Sequence, residues 1–395
     1  MRRVYMDNAA TTSLAPEVLE QMMPYLTNIY GNPSSVHSFG REAKAGVDKA
    51  RQQLAKALNA ELDEIIFTGC GTESDNTVLL GVAERYKSKG NHIITTNIEH
   101  HAILHTCEYL EKHGCEVTYL PVDENGMVTA EQVKNAIRDN TVLVSVMFAN
   151  NEVGTIMPIA EIGKVCKEKG VFFHTDAVQA VGHVPIDVKA MNIDMLSLSA
   201  HKFHGPKGVG ALYVRRGFPL VNIIEGGAQE RGKRAGTENI PGICGMAAAL
   251  KEACDHMDEN MPRVAAMRDR LIEGLSKIPH SALNGDRVNR LPGNVSFCFE
   301  GIEGESLLLL LDMKGVCASS GSACTSGSLD PSHVLLAIGR VHDVAHGSLR
   351  LSLSEYNTDE EIDHILKVVP EVVQYLRNMS PVWRDLQTGK RQYIL

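Results

Sequence analysis

The sequence lacks the cysteine patterns of a disulfide framework or a structural zinc site. Its nine cysteines are odd in number and dispersed along 395 residues, and no two of them stand in a C-x-x-C spacing. Disulfide scaffolds use an even, dense set, and structural zinc sites use closely paired ligands. Most of these cysteines are therefore expected to be small buried hydrophobic residues. Only Cys70 and Cys324 stand among glycine and hydroxyl residues.

A membrane-spanning segment and an excess of positive charge are also missing. The longest conspicuous apolar run, Leu307 to Leu311, is far too short to cross a bilayer, and no apolar stretch of a signal peptide follows the two N-terminal arginines. Lys and Arg number 39 against 48 Asp and Glu, which gives a formal net charge of −9. This charge disfavours nucleic acid or an anionic membrane as a general partner. Together these absences predict a cytoplasmic protein.

What the sequence does contain, from about residue 62 to 214, is a series of short β-rich runs that alternate with helical patterns. The runs are EIIFTG, HIITTN, EVTYLPV, TVLVSVMFANN, VFFHTDA, DMLSLSAH and GALYVR. Such alternation predicts a large, mostly parallel sheet covered by helices.

A smaller α+β domain is predicted to follow the large one. A long helical stretch leads into it, with Pro262 as the expected break or kink. Strand-like runs and a closing helix come next, and Thr358 to Glu361 read as the capping box that begins this helix. The expected division is an N-terminal segment (1–15) joining the small domain, a large domain (16–257) and a small domain (258–395).

Polar residues follow several of the predicted strands, at the carboxyl ends where parallel sheets bind their ligands. The turn GCGTESDN contains Gly71 and Thr72 and runs into a predicted helix, where exposed N–H groups could hold an anion. Such a turn more often simply closes a strand–helix connection. His101 and His105 have the spacing of a metal-binding pair, but no third ligand is evident, so packed or solvated histidines are favoured.

Two further strand ends carry an acid and a lysine. Asp176 ends a β-rich run, and a partly buried carboxylate there needs a partner, either a nearby arginine or a protonated ring nitrogen of a cofactor. Lys202 follows the next strand and either reaches solvent or, if desolvated, becomes a Schiff-base nucleophile. Pyridoxal phosphate would account for both, because it needs an aldehyde-trapping lysine, an acid, a stacking group and a phosphate cup.

A set of motifs resembles the pyridoxal-phosphate cysteine desulfurases of the nitrogen-fixation and iron–sulfur-assembly type. The motifs are MDNAATT, GNPSSVHSFG, TGCGTESDN, EHHA, NNEVGT, TDAVQ, AHKFHGPKG, RAGTEN and SSGSACTS. The resemblance extends from about residue 5 to 380. It implies an aminotransferase-like α/β fold of type I with a seven-stranded sheet, a homodimer, L-cysteine as substrate and a sulfur-acceptor protein as partner. No metal is implied.

The resemblance also implies roles for individual residues, each matched to a motif of this sequence. Lys202 would form the Schiff base with the cofactor, and Cys324 would be the nucleophile that takes the sulfur. The other residues implied to bind cofactor or substrate are Asp176 (ring nitrogen), Gln179 (ring oxygen), His100 (ring stacking and proton transfer), Gly71, Thr72, Ser199 and His201 (phosphate), Thr237 (phosphate of the neighbouring subunit), Asn151 and Arg350 (substrate).

The segment around Cys324 fits this implied role. Small residues from Ser319 to Ser328 predict a loop that can swing a persulfide from the cofactor to an acceptor. Without the upstream lysine and aspartate, an ordinary Ser/Gly linker with an incidental cysteine would be the better interpretation. The alternatives left open are a selenocysteine lyase, an aminotransferase of the same fold, and a catalytically silent scaffold.

Overall fold

A computed structural model describes residues 3–320 and 331–395. The described strands are β1 (Val4–Tyr5), β2 (Ile65–Thr68), β3 (His92–Thr96), β4 (Glu116–Leu120), β5 (Thr141–Ser145), β6 (Phe172–Asp176), β7 (Met195–Ser199), β8 (Gly210–Val214), β9 (Ser281–Leu283), β10 (Asn294–Phe299), β11 (Val316–Cys317) and β12 (Ser348–Ser352). The described α-helices are α1 (Pro16–Thr27), α2 (Ser38–Leu58), α3 (Gly71–Tyr86), α4 (His101–Lys112), α5 (Ala130–Ala136), α6 (Ile159–Lys169), α7 (Ile240–Asp255), α8 (Met257–Leu275), α9 (Gly304–Met313), α10 (His333–Ala337), α11 (His342–Ala345), α12 (Asp359–Met379) and α13 (Pro381–Gln387).

Seven strands form the large sheet in the order β2-β8-β7-β6-β5-β3-β4. Neighbouring strands are parallel except for β8, which is antiparallel to both β2 and β7. Most residues of these strands are buried, as expected for a sheet covered by helices on its faces. Each of the seven predicted β-rich runs contains one strand of this sheet, so the predicted fold class is confirmed.

The C-terminal part of the chain forms a second, antiparallel sheet in the order β12-β10-β9. A separate apolar core lies here, built from α8, α9 and α12 against β10 and β12. The N-terminal segment joins this part, because β1 pairs in parallel with β11 and Asp7 forms a bridge with Ser352. The division at residues 15 and 257 stays a prediction.

The capping box that the sequence predicts is confirmed in this region, whereas the break in the long helical stretch falls at a different residue from the expected one. Thr358 caps α12 with the reciprocal capping box that the sequence predicts. Pro262, however, does not break the long helical stretch. It lies in the first half of α8, and the break between α7 and α8 falls at His256. Pro262 is the sixth residue of α8, so its missing N–H removes the intrahelical hydrogen bond to the carbonyl of Asp258, and the helix continues through it.

Among the described residues, no helix combines the length and the apolar character that crossing a bilayer requires.

The small core gives a stability prediction. Ile365 on α12 is 0% exposed, whereas Lys367 on the same helix is exposed. Ile365→Ala is expected to lower the free energy of unfolding by about 2–5 kcal/mol because it leaves a cavity. Lys367→Ala should change it by less than about 0.5 kcal/mol. Denaturant unfolding followed by the fluorescence of Trp383, the single tryptophan, measures both variants, and equal effects would contradict the assigned core.

Candidate active site

Lys202 and Gln179 converge on one backbone carbonyl of the N-terminal segment. Lys202 lies in a 3₁₀ turn directly after β7, and its Nζ donates to the carbonyl oxygens of Ala9 at 2.6 Å and Ala10 at 2.8 Å. Gln179 Nε2 donates to the same Ala9 oxygen at 2.9 Å. The ends of two neighbouring strands therefore bring a primary amine and an amide together at one point.

Asp176 places a buried carboxylate beside this point, at the end of β6. Its side chain is 6% exposed, and Oδ1 accepts a hydrogen bond from the N–H of Val178 at 2.9 Å. Burial raises the pKa of Asp176, while the Val178 N–H and the charge of Lys202 act in the opposite direction. A cationic ring nitrogen placed against this carboxylate would relieve the cost of its burial.

His100 caps α4 and is neutral near pH 7. Its Nδ1 accepts a hydrogen bond from the N–H of Ala102 at 3.1 Å. Burial and then the nearby charge of Lys202 lower the pKa of His100 to about 4. Since Nδ1 is an acceptor, the proton of the neutral ring is assigned to Nε2. His100 is therefore an uncharged ring with a donor on its free nitrogen.

The start of α3 supplies free backbone N–H groups at Gly71 and Thr72. Cys70 occupies the N-cap position without a side-chain hydrogen bond to the helix, so the first N–H groups remain available to an anion. Gly71 is required by packing, because a Cβ there would come within 2.6 Å of Val178 Cγ2 and 3.6 Å of Ser199 Cβ. The structure thus brings the two glycine-turn residues and the buried Ser199 together.

His201 and Thr237, the other two residues expected to bind phosphate, differ in their surroundings. His201 Nδ1 lies 3.1 Å from the hydroxyl oxygen of Thr11, and burial followed by the charge of Lys202 lowers the pKa of His201 to about 4. Thr237 is exposed on the single chain. Its segment is fixed by Arg234, which pairs with Glu73 in the first turn of α3 at 2.9 Å.

Arg350 on β12 brings a side chain of the small sheet into contact with the N-terminal segment that also contacts Lys202. Its guanidinium is almost fully buried, donating from Nη1 to the backbone carbonyl of Asn151 at 3.0 Å and from Nη2 to Asp7 at 3.0 Å. Its Nε has no hydrogen-bond partner among the described residues. The contact with Asn151 uses the main chain, so the Asn151 amide is not committed to Arg350. Arg350 also pairs through its backbone with Ser319.

A narrow cleft between the two sheets reaches Lys202 and Gln179. Its lining includes Ala9, Gln179, Lys202, Asn294 and Ser352. Asp7, Ala9 and Ala10 were not predicted as site residues, although they belong to the motif MDNAATT. That motif is the signal that could have found them, because Ala9 and Ala10 act through backbone carbonyls, which carry no side-chain chemistry of their own.

The remaining residues that the sequence analysis singled out are Cys324 and the pair of His101 and His105. Cys324 lies outside the described residues. His101 does lie beside both His105 and His333, with ring centroids 4.9 Å apart in each pair. Within the described ranges, however, no group of three His, Cys, Asp or Glu side chains is arranged to hold a metal ion.

The comparisons with known proteins agree with this geometry. The family model "Aminotransferase class-V" matches residues 4–365. Two proteins named cysteine desulfurase IscS are similar throughout, from Clostridium botulinum (59% identical over 394 residues, 99% of each chain) and Methanosarcina thermophila (58% over 381 residues, 96% of this chain and 94% of that one). A solved structure titled "NifS-like protein" superimposes with a TM-score of 0.90 at 41% identity, covering 95% of this chain and 100% of the other.

The chain therefore belongs to the aminotransferase class-V family. Within it, the chain groups with the relatives named cysteine desulfurase, as the motifs predicted. Enzymes of this group depend on pyridoxal phosphate, and the residues present fit that cofactor. The amine of Lys202, the buried carboxylate of Asp176 and the free N–H groups of α3 are the three kinds of group that its aldehyde, ring nitrogen and phosphate require.

The tight contact between Gly71 and Val178 gives a prediction in which a second substitution should restore the function that the first one impairs. Gly71→Ala is expected to weaken pyridoxal phosphate binding by about five- to 150-fold, because overpacking costs about 1–3 kcal/mol. Val178→Ala removes the methyl group that the new Cβ would meet, so the double variant should recover most of the lost affinity. Fluorescence titration of cofactor-free protein measures all three variants. A double variant no better than Gly71→Ala would show that the contact does not control the phosphate site.

Proposed function

We propose that the protein is a pyridoxal-phosphate-dependent cysteine desulfurase. In this reaction L-cysteine and the thiol of Cys324 give L-alanine and a persulfide on Cys324, so the sulfur and all hydrogens are accounted for. The observation that carries the proposal is the convergence of Lys202 and Gln179 on the Ala9 carbonyl beside the buried Asp176. The full-length relatives named cysteine desulfurase support the choice of substrate.

Separate groups of residues would hold the ring of the cofactor and its phosphate. When bound, pyridoxal phosphate supplies an electrophilic carbon for amines and a ring that withdraws electrons from the substrate α-carbon. Lys202 would attach to it, Asp176 would face its ring nitrogen, and Gln179 its ring oxygen. The phosphate would lie at the start of α3, near Gly71, Thr72, Ser199 and His201.

Proton movement is assigned to Lys202, with His100 in a supporting role. With substrate bound, the Lys202 Nζ would be a free amine placed to take the proton from the substrate α-carbon. His100 would lie against the ring face. If His100 took up a proton at Nδ1, it would lose its hydrogen bond with Ala102. We therefore assign His100 to stacking and hydrogen-bond donation from Nε2, with proton transfer passing through Lys202.

Arg350 and Asn151 would bind the substrate carboxylate. The Arg350 guanidinium uses one Nη hydrogen for Asp7 and one for the Asn151 carbonyl, which leaves a second hydrogen on each Nη, and its buried Nε has no acceptor among the described residues. A planar guanidinium binds a carboxylate through two parallel hydrogen bonds, and a lysine ammonium does not. Because Asp7 belongs to the N-terminal segment, the same segment would orient both the substrate carboxylate and Lys202.

Cys324 would carry the sulfur from the substrate to an acceptor protein for iron–sulfur cluster or other thio-cofactor assembly. The thiolate is the form that attacks sulfur. Cys324→Ser is expected to lower alanine formation from L-cysteine by at least about a hundredfold, because it removes the nucleophile. Cys317→Ser, which changes a described thiol seven positions upstream, is the matched control and should retain activity.

Alanine release in the presence of a reducing thiol measures both variants. Full alanine formation by Cys324→Ser would contradict the sulfur-carrier role and would favour a lyase or an aminotransferase of the same fold. The cofactor absorption spectrum of each variant shows that its site is loaded.

We further propose that the enzyme works as a cytoplasmic homodimer without nucleic-acid or membrane partners. The exposed Thr237 would reach the phosphate site of the second subunit, while Arg234 fixes its segment to α3 of its own subunit. The net charge of −9 is consistent with protein and small-molecule partners.

Subunit mixing tests the shared site. Lys202→Ala and Thr237→Ala are each expected to be impaired, the second at limiting cofactor. If Thr237 acts on the other subunit, a mixed dimer has one site with both native residues and should recover up to about half of the wild-type activity per dimer. If Thr237 acts within its own chain, neither site of the mixed dimer is complete. No recovery after mixing would therefore contradict the shared site.

A further inference from the structure

A layer of buried polar side chains lies between α3 and the centre of the large sheet, and it includes Asp176. His174 and Asp176 lie two residues apart on β6 and so face the same side of the sheet. Ser145 is the registered neighbour of His174 on β5, and Ser197 that of Asp176 on β7. Asp75 on α3 covers this layer and is 1% exposed. None of Asp75, His174, Ser145 or Ser197 has a role in the proposed reaction.

A hydrogen-bonded chain runs through the layer towards Asp75. His174 Nδ1 lies 2.9 Å from Ser145 Oγ, and His174 Nε2 lies 3.0 Å from Ser197 Oγ. Asp75 Oδ1 is 3.7 Å from the same Nε2 and has no hydrogen-bond partner among the described residues. An ionised carboxylate left with an unpartnered buried oxygen is costly. The neutral acid carries a far smaller penalty.

The surroundings of Asp75 also favour its neutral, protonated form. Burial raises the pKa of Asp75 well above its usual value, the negative charge of Asp176 adds to this effect, and a hydrogen bond with Ser197 opposes it. His174 offers no counter-charge, because burial lowers its pKa to about 3.

Asp176 is better compensated than Asp75. It has the Val178 N–H as a donor and the positive charge of Lys202 nearby. Two neighbouring buried carboxylates do not both ionise readily, so one of them keeps a proton. The difference in their surroundings assigns the proton to Asp75 and the negative charge to Asp176.

We propose that Asp75 is a positioning residue that keeps a proton in the buried layer, so that Asp176 carries the negative charge facing the cofactor's ring nitrogen. This inference rests on the proposed function, because it concerns the cofactor site. If Asp75 were ionised, its charge would draw the proton onto Asp176, and Asp176 could no longer act as the counter-ion of a protonated ring. Asp75 touches neither cofactor nor substrate in this account and acts only through Asp176.

The test compares charge and cofactor affinity in variants of the cofactor-loaded protein. Asp75→Asn replaces a neutral acid by a neutral amide of similar shape, so it should leave the dissociation constant of pyridoxal phosphate within about threefold of wild type. Asp176→Asn should weaken binding by at least about a hundredfold, because it removes a buried counter-charge. Thr175→Val is the matched control, since its hydroxyl is buried on the opposite face of β6 and has no hydrogen-bond partner within the described ranges.

Infrared difference spectra between wild type and each variant at pH 7 supply a second readout. A merely structural role of Asp75 would not change it. The wild type should show the C=O stretch of a buried protonated carboxylic acid, and Asp75→Asn should lose it. Glu99 contributes a second such acid, because burial raises its pKa to about 8. Glu99→Gln should therefore remove one contribution and retain that of Asp75, which keeps the test available if Asp75→Asn does not fold.

Two results would overturn the inference. One is an infrared spectrum in which Asp75→Asn loses no protonated-acid band, or in which Glu99→Gln retains none. The other is a loss of cofactor affinity of more than about tenfold in Asp75→Asn but not in Thr175→Val, which would mean that an ionised Asp75 is required. Alanine formation by the wild type is measured separately, so failure of the proposed function is distinguishable from failure of this inference.

Discussion

The Ala9 carbonyl oxygen accepts hydrogen bonds from both Lys202 Nζ and Gln179 Nε2, and the arrangement of the site depends on this contact. The N-terminal segment that provides it is tied to the small sheet, where Asp7 pairs with Arg350 and the Ala9 N–H donates to Ser352 Oγ at 2.8 Å. The two sheets are thereby joined through a few residues near the N-terminus. In the proposed enzyme, this segment sets the distance between the cofactor lysine and the arginine that binds the substrate carboxylate.

The second constraint is the burial of acidic side chains that lack a full counter-charge. Asp75, Glu99 and Asp176 are buried acids, and only Asp176 is near a lysine charge that lowers its pKa. The same burial keeps His100 and His174 neutral. The region beneath the cleft can therefore hold few charges, and each of them has to be balanced. A cofactor with a cationic ring nitrogen fits such a region because it brings the missing positive charge to Asp176.

The sequence predicts the large sheet well because its strands are buried runs of β-branched and aliphatic residues, each bounded by polar residues. Asp176 and Lys202 could be found for a related reason, since the carboxyl ends of parallel strands meet at one edge. The strands β1 and β11 are too short to give a pattern. The contacts of Ala9 with Lys202 and of Asp7 with Arg350 join residues 193 and 343 positions apart. No local signal predicts such pairs, and the resemblance points to them only through the motif MDNAATT.

The account is tested most directly by finding which lysine binds the cofactor. The loaded protein would be treated with borohydride, which fixes an imine as a stable amine, and then digested and analysed by mass spectrometry. The account predicts the added mass on the peptide containing Lys202 and its loss in Lys202→Ala. Attachment at Lys207, or no attachment in protein that carries the cofactor's absorption, would contradict the assignment of Lys202, Gln179 and Asp176 to the active site.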